Sequence, residues 1–458
     1  MTRTDELVDD VRRRIASCQL MAGERLPSVR RHAIAMGVSP STVVEAYDRL
    51  VAEGAIRSRP GSGFYVAGAS TPFALQEPRP DFERAVDPLW VSRQSLDADA
   101  ATARPGCGWL PADWMPDEAL RRSLRRVAKG GLEGLVDYAM TRGSAALRRT
   151  LARQFSQEGL DIEPDRILLA VSGTQAVDLV CRFLLQPGDT VLLDDPCYFN
   201  FQALMRAHRV KVVSVPYTPS GPDPERFAEL AREHAPKLYL TNSAIHNPTG
   251  ATPSPAVLHR LLLAAAAYDV TIVEDDIFAD FEPEPTPRLA ALDGLERVIR
   301  VGSFSKTLSA SARCGYIAAR ADWIEALIDL QVATNFGGPS PLVTDIVQGV
   351  LADGSYHKHV LALRGRLAKR RKEVGAQLDA MGVRPWTQPR GGFSLWCRLP
   401  DGRDATDLAK AALRDGIVLA PGNVFSPSLG APDLMRFNVT QMPPAVLDWL
   451  RRTLSAPI

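Results

Sequence analysis

One lysine stands among small hydroxyl residues. The segment GSFSKTLSASARCGY sets Lys306 beside Ser303, Ser305, Thr307 and Ser309, with Arg313 seven residues on. A lysine in a small, polar pocket can lose its proton and attack an aldehyde as a Schiff-base former. Hydroxyls and an arginine around it suit a phosphate. A solvated loop lysine is the ordinary alternative, and other segments count against it. Ser172-Gly173-Thr174-Gln175 lies between an apolar β run and a helical pattern, so its free N–H groups form an anion site at the helix start. Glu274-Asp275-Asp276 ends a buried β run, and a carboxylate there lies in the crevice where open α/β sheets bind ligands. Asn247-Pro248-Thr249-Gly250 follows another such run.

The elements that must position these residues are legible as a pattern. Apolar β-type runs at 167–171, 190–193, 210–215, 238–240, 270–273, 298–301 and 315–319 alternate with helical stretches such as 176–185 and 257–267. That alternation predicts an α/β body with a mostly parallel sheet covered on both faces. From about residue 384 onward the pattern changes to a smaller α+β lobe, with strands expected at 393–397 and 435–439.

The first 67 residues read differently. Leu7, Val8, Val11 and Ile15 recur at helical spacing. Ser28 is an N-cap for a helix through Val29 and Met36, which Gly37 ends. Ser39-Pro40 opens a third helix through Val43, Tyr47 and Leu50. Two short apolar runs then flank Arg59-Pro60-Gly61-Ser62-Gly63, a β-hairpin pattern. Together these predict a winged helix-turn-helix over 1–67, a linker over 68–100 and the α/β body over 101–458. Within the linker, Phe73, Phe82, Leu89 and Trp90 are candidates for local docking.

Composition sets limits on function. The 458 residues carry a formal net charge of +1, so nucleic-acid binding must be confined to a patch. Arg25, Arg30, Arg31, Arg49, Arg57 and Arg59 supply one, against Glu24, Glu45, Asp48 and Glu53. Arginines of this kind suit backbone phosphates, while Ser39, Ser41 and Thr42 at the start of the third helix face the groove. The longest apolar run, 261–267, is too short to span a bilayer, and the amino-terminal residues lack a signal-peptide pattern. Six cysteines (Cys18, Cys107, Cys181, Cys197, Cys314 and Cys397) form no CxxC pair, which predicts neither metal site nor disulfide framework and fits a reducing cytoplasm.

The segments HNPTGAT, EDDIFADFEPEP and GSFSKTLSASARCGY resemble the fold-type I, pyridoxal 5′-phosphate (PLP) dependent class I/II aminotransferases. LPSVR and RPGSGFYV resemble a GntR-type winged helix. The two in this order resemble the MocR, or GabR-like, subfamily of GntR regulators, with the body segments closer to its PtsJ-like members. The resemblance implies that Lys306 holds PLP covalently and that Asp275 pairs with the pyridine nitrogen. It implies that Asn247 bonds the ring oxygen O3′ and Tyr198 stacks on the ring. Gly173, Thr174, Ser303, Ser305 and Arg313 would hold the phosphate, with Tyr138 reaching it from the other subunit of a head-to-tail homodimer. Arg436 would clamp the α-carboxylate of an amino compound. In the head, Arg30, Arg31, Ser39, Ser41, Thr42, Arg57, Arg59, Gly61 and Gly63 would meet a double-stranded DNA operator.

Two departures stand out. Many relatives carry a Tyr two or three residues after the pyridine-pairing Asp, where this chain has Ile277 and Phe278. GntR members often start the recognition helix with an Arg, where this chain has Pro40. The resemblance therefore implies a PLP-holding transcriptional regulator whose effector is an amino compound or PLP itself. The alternative is a working aminotransferase with an accessory DNA-binding head.

Overall fold

A computed structural model of the chain describes residues 2–16, 20, 24–59, 62–67, 86–99, 101–131 and 133–455. Cys18, Gly61, Phe73 and Phe82 lie outside the described residues. The chain divides into two units, Met1–Pro80 and Asp81–Ile458.

In the first unit, α1 (Arg3–Ala16) is followed by α2 (Val29–Met36) and α3 (Pro40–Ala52). The Ser28 and Ser39 side chains accept from the N–H groups of Arg31 and Thr42, capping α2 and α3. Gly37 ends α2 at φ 63°, a left-handed conformation that glycine adopts without a Cβ clash. Strands β1 (Ile56–Arg59) and β2 (Gly63–Val66) pair antiparallel, Ile56 opposite Val66 and Arg59 opposite Gly63. Leu7, Val11, Val43, Tyr47, Leu50 and Ile56 close a small core. The Tyr47 hydroxyl donates to Pro27 O at 2.9 Å and meets His32 Nδ1 at 2.7 Å, so its polar end is satisfied inside that core.

The second unit opens with α4 (Pro88–Asp97), inside the stretch expected to be linker. Asp87 caps it, and Trp90 and Val91 are buried with Phe199, Trp396 and Phe425. The large sheet contains β3 (Ile167–Ala170), β4 (Thr190–Asp195), β5 (Lys211–Thr218), β6 (Gly221–Pro222), β7 (Leu238–Asn242), β8 (Thr271–Asp275), β9 (Val298–Ser303) and β10 (Gly315–Ala318). Their order is β3-β10-β9-β8-β7-β4-β5-β6. The run from β9 to β5 is parallel, while β10 runs antiparallel to both its neighbours.

Alternate residues of one strand enter different cores. Ile272 packs with Leu169, Leu192 and Tyr239, whereas Val273 packs with Leu168, Leu193 and Leu240. Both sheet faces are therefore covered, which accounts for the continuous apolar runs. The smaller lobe holds β11 (Arg384–Pro385), β12 (Ser394–Arg398), β13 (Ala420–Pro421) and β14 (Leu434–Asn438), antiparallel in the order β11-β12-β14-β13. Helices Ala405–Arg414 and Pro444–Ser455 close its core.

Candidate functional site

Three consecutive carboxylates at the end of β8 have three separate tasks. Glu274 accepts from the N–H groups of Leu289 (2.7 Å) and Ala290 (2.9 Å), capping a short helix. Asp276 is fully buried between Arg288 and Arg300, and Arg300 also reaches Glu158. Asp275, on the other face of the strand, lines a cavity of about 510 Å³. The carboxyl ends of the neighbouring strands deliver the rest of the wall. Gly173 and Thr174 follow β3, Tyr198 follows β4, Asn247 follows β7, and Ser305, Lys306 and Arg313 lie between β9 and β10.

Lys306 Nζ donates to Gly108 O at 2.7 Å. Burial, and then the charge of Arg436, bring its pKa down to about 8. A usable fraction of this amine is therefore unprotonated near neutral pH, as a nucleophile needs. Burial pushes Asp275 up to about 7, opposed by the Ile277 N–H, which donates to Oδ1 at 3.1 Å. A protonated ring nitrogen brought to Asp275 would offset the burial and hold the carboxylate ionised.

Asn247 is oriented by Arg436, whose Nη1 donates to its Oδ1 at 2.8 Å. The amide Nδ2 is left as the donor for a ring oxygen. Ser172 caps helix Gly173–Leu184, so the N–H groups of Gly173 and Thr174 stand at the positive end of its dipole. Lys306, Asp275, Asn247 and this helix start together fit an aldehyde-bearing, phosphorylated pyridine ring.

Three expected residues lie elsewhere. Ser303 is buried behind the wall: its hydroxyl donates to Cys314 O (3.1 Å) and accepts from Ser305 N–H. Arg436 is 1% exposed and is not in the wall. Its Nη2 donates to Gly106 O at 2.7 Å, its guanidinium lies 4.8 Å from the Phe425 ring centre, and its Nε has no partner among the described residues. Tyr138 is 78% exposed and, among the described residues, meets the ring of Phe336 edge-on at 5.0 Å.

Residues 103–109 were not singled out by the sequence, yet they close the site. Ala103 bridges to Ile417, and Gly106 N–H donates to Val418 O at 2.8 Å. A Cβ on Gly106 would lie 2.5 Å from the Leu419 carbonyl carbon, so the close approach requires glycine. Asn438 Nδ2 donates to Cys107 O and Trp109 O. One short segment thus supplies acceptors to Lys306, Arg436 and Asn438. Its sequence, ARPGCGW, has no periodicity that would mark it.

In the first unit, Arg30, Arg31, Arg57 and Arg59 are exposed and make no ion pair among the described residues. Arg59 lies over the Tyr65 ring at 4.8 Å. Ser39 Oγ meets Ser41 Oγ (2.7 Å) and Thr42 Oγ1 (2.8 Å) at the start of α3. Gly63 adopts φ 109° at the wing. Arg49, part of the expected patch, instead pairs with Asp5 and Glu45.

A winged helix-turn-helix preceding an aminotransferase-type body defines the class: a regulator built on a PLP-enzyme fold. The chain belongs to the aminotransferase class I and II family, whose model matches residues 113–454, and its residues 3–66 match the bacterial regulatory proteins of the gntR family. It is 30% identical to the HTH-type transcriptional regulator YdcR of Escherichia coli (strain K12), over 96% of this chain and 95% of that one. It is 29% identical to the regulatory protein MocR of Rhizobium meliloti, over 91% and 85%. Among solved structures, a multiple substrate aminotransferase from Thermococcus profundus superposes with a TM-score of 0.72 at 26% identity, over 81% of this chain and 94% of that one. The α-aminoadipate aminotransferase LysN of Thermus thermophilus, complexed with N-(5′-phosphopyridoxyl)-L-leucine, shares the fold with a TM-score of 0.73 at 24% identity, over 82% and 95%. Both fold neighbours are aminotransferases, and PLP is the cofactor of the class I and II family. No described helix is long and apolar enough to cross a membrane.

Proposed function

We propose that the chain is a PLP-dependent transcriptional regulator in which the body senses an amino compound or PLP and the head binds operator DNA. One observation carries the reading. A single chain pairs an exposed arginine surface around α2 and the hairpin with a cavity holding Lys306, Asp275 and Asn247. PLP supplies an electrophilic carbonyl and an electron-withdrawing ring when bound. Lys306 holds it, Asp275 pairs with its ring nitrogen, Asn247 donates to its ring oxygen and Tyr198 covers the ring. Gly173, Thr174, Ser305 and Arg313 hold its phosphate. Arg436, which donates to Asn247 at the cavity wall, clamps an α-carboxylate. In the head, Arg30, Arg31, Arg57 and Arg59 contact phosphates, and Ser41 and Thr42 face base edges.

The head ends near residue 67, and the aminotransferase-like body begins by Val86, since α4 packs into its core. The exposed Tyr138 and Phe336 support assembly of two bodies into a head-to-tail homodimer in which Tyr138 reaches the partner's phosphate site. The second reading, a working aminotransferase, draws on the lowered pKa of Lys306. Binding to an operator duplex recovered by in vitro selection, measured with and without PLP and then across a panel of amino acids, separates the two. A regulator shows ligand-dependent affinity for that duplex. Multiple turnover at about 1–1000 per second without specific DNA binding would falsify the regulator reading.

A further inference from the structure

Asp275 and Lys306 come from neighbouring strands, but the segments that carry the chain onward leave the sheet. After β9, Lys306 lies in a turn closed by the Leu308 and Ser309 N–H groups, which both donate to Phe304 O. After β8, the Ala279 N–H donates to Asp276 O and the Phe281 N–H to Phe278 O, which places Asp280 in a second turn. Three side chains join the two turns. Tyr356 donates its one hydroxyl proton to Asp280 Oδ2. The Thr307 hydroxyl lies 2.5 Å from the Tyr356 oxygen and 3.4 Å from Asp280 Oδ2, so its own proton goes to the tyrosine. Thr307 is 1% exposed, and this chain is what satisfies its hydroxyl.

Backbone contacts double the link. His359 Nε2 donates to Thr307 O at 2.9 Å, and Arg364 Nε donates to Asp280 O at 2.8 Å. Tyr356, His359 and Arg364 all belong to helix Ser355–Asp379, whose far end enters the small-lobe core through Val374 and Leu378. One helix therefore holds the residue after Lys306 by side chain and by backbone, and holds the turn after Asp275 in the same two ways. Hydroxyls in series that end on a carboxylate strengthen one another, and cutting one link leaves a buried polar group unpaired. We propose that Asp280 and Tyr356 are positioning residues for Lys306, acting through Thr307 to set where the lysine side chain begins relative to Asp275. They touch neither PLP nor an amino ligand in this assignment, which rests on Lys306 as the residue that holds PLP.

The test uses the full-length, PLP-loaded protein, with the PLP dissociation constant and the visible circular dichroism of bound PLP as readouts. The dichroic band reports how the ring is held, and a loss of stability alone does not move it while the protein stays folded. Tyr356→Phe and Thr307→Val keep the packing and cut the chain. Each should weaken PLP binding about three- to tenfold, the scale of one lost hydrogen bond, and change the band. Either substitution decides the matter where the other does not fold. The double variant should lose little more than a single one, because both cut the same chain. Thr307→Ser keeps the hydroxyl and should restore the parent's affinity and band. Variants that melt lower but keep the parent's affinity and band overturn the positioning role, as does a Thr307→Ser variant that matches Thr307→Val. Either result leaves Lys306 as the PLP residue, whereas a wild type with no PLP band overturns that assignment as well.

Discussion

Arg436 and Asn247 share a buried hydrogen bond, with Nη1 donating to Oδ1 at 2.8 Å. It links β14 of the small lobe to the loop after β7, and it fixes which end of the amide faces the cavity. Two substitutions separate these roles. Asn247→Leu leaves a guanidinium proton unpaired in the interior and should cost about 1–3 kcal/mol in denaturant titrations. Asn247→Asp keeps an acceptor for Arg436 while removing the Nδ2 donor. It should retain more stability than the leucine variant but still bind PLP more weakly, as followed by absorbance.

The PLP-free protein should have a stability minimum between about pH 7 and pH 8. Asp275 has a folded pKa raised to about 7, so the folded state holds its proton longer and stability falls as pH rises from 4 toward 7. Lys306 has a folded pKa lowered to about 8, so the unfolded state binds the proton more tightly and stability recovers from 8 toward 10.5. Lys306→Met should abolish the alkaline recovery and stabilise the neutral-pH protein by roughly 1–3 kcal/mol. Chemical denaturation across pH 4–10 reads both limbs. A flat profile would show that neither group is desolvated in solution.

Arg30→Ala or Arg59→Ala should weaken operator binding and lower the salt slope by about one for each lost phosphate contact. Arg49→Ala is the contrasting case. Its guanidinium is already paired with Asp5 and Glu45, so it should leave the salt slope unchanged and cost about 0–1 kcal/mol of head stability. Fluorescence anisotropy over a series of salt concentrations distinguishes the two classes.

Phe278 lines the cavity and packs on Phe393 with ring centres 5.7 Å apart. It has no hydroxyl to donate to the ring oxygen of PLP. A donor there would favour the more negative oxygen. Phe278→Tyr should therefore move the pH midpoint of the PLP absorbance change downward. A variant that titrates like its parent places residue 278 away from that oxygen.

The exposed apolar side chains Val136, Tyr138, Met140 and Phe336 predict assembly. The wild type should sediment as a dimer at micromolar concentration. Tyr138→Asp combined with Met140→Asp should shift it to monomer and weaken PLP binding.

Part of this architecture is legible in the sequence alone. The β8 run could be read because a strand buried on both faces is continuously apolar, and Asp275 followed from its end. Ser39-Pro40 carried its own cap chemistry. Trp90 reads as a docking candidate in the sequence, but helix α4 around it was not legible, because its partners Phe199, Trp396 and Phe425 are each more than 100 positions away. Nor was the Asp276, Arg288 and Arg300 cluster, whose members come from separate elements. Ser303 looked like a phosphate ligand by residue type. The antiparallel register that sets it opposite Gly315 turns its hydroxyl to Cys314 O instead.

The segment 103–109 also bears on how the chain can be cut and recombined. It serves Lys306 through Gly108 O, Arg436 through Gly106 O, and Asn438 through Cys107 O and Trp109 O. A graft of a foreign reader onto this body should therefore place its seam upstream of Val86, which keeps α4 and that segment with their acceptor duties intact. A seam at residue 110 would follow the start of family similarity more closely, and would strip three buried side chains of the backbone they lean on.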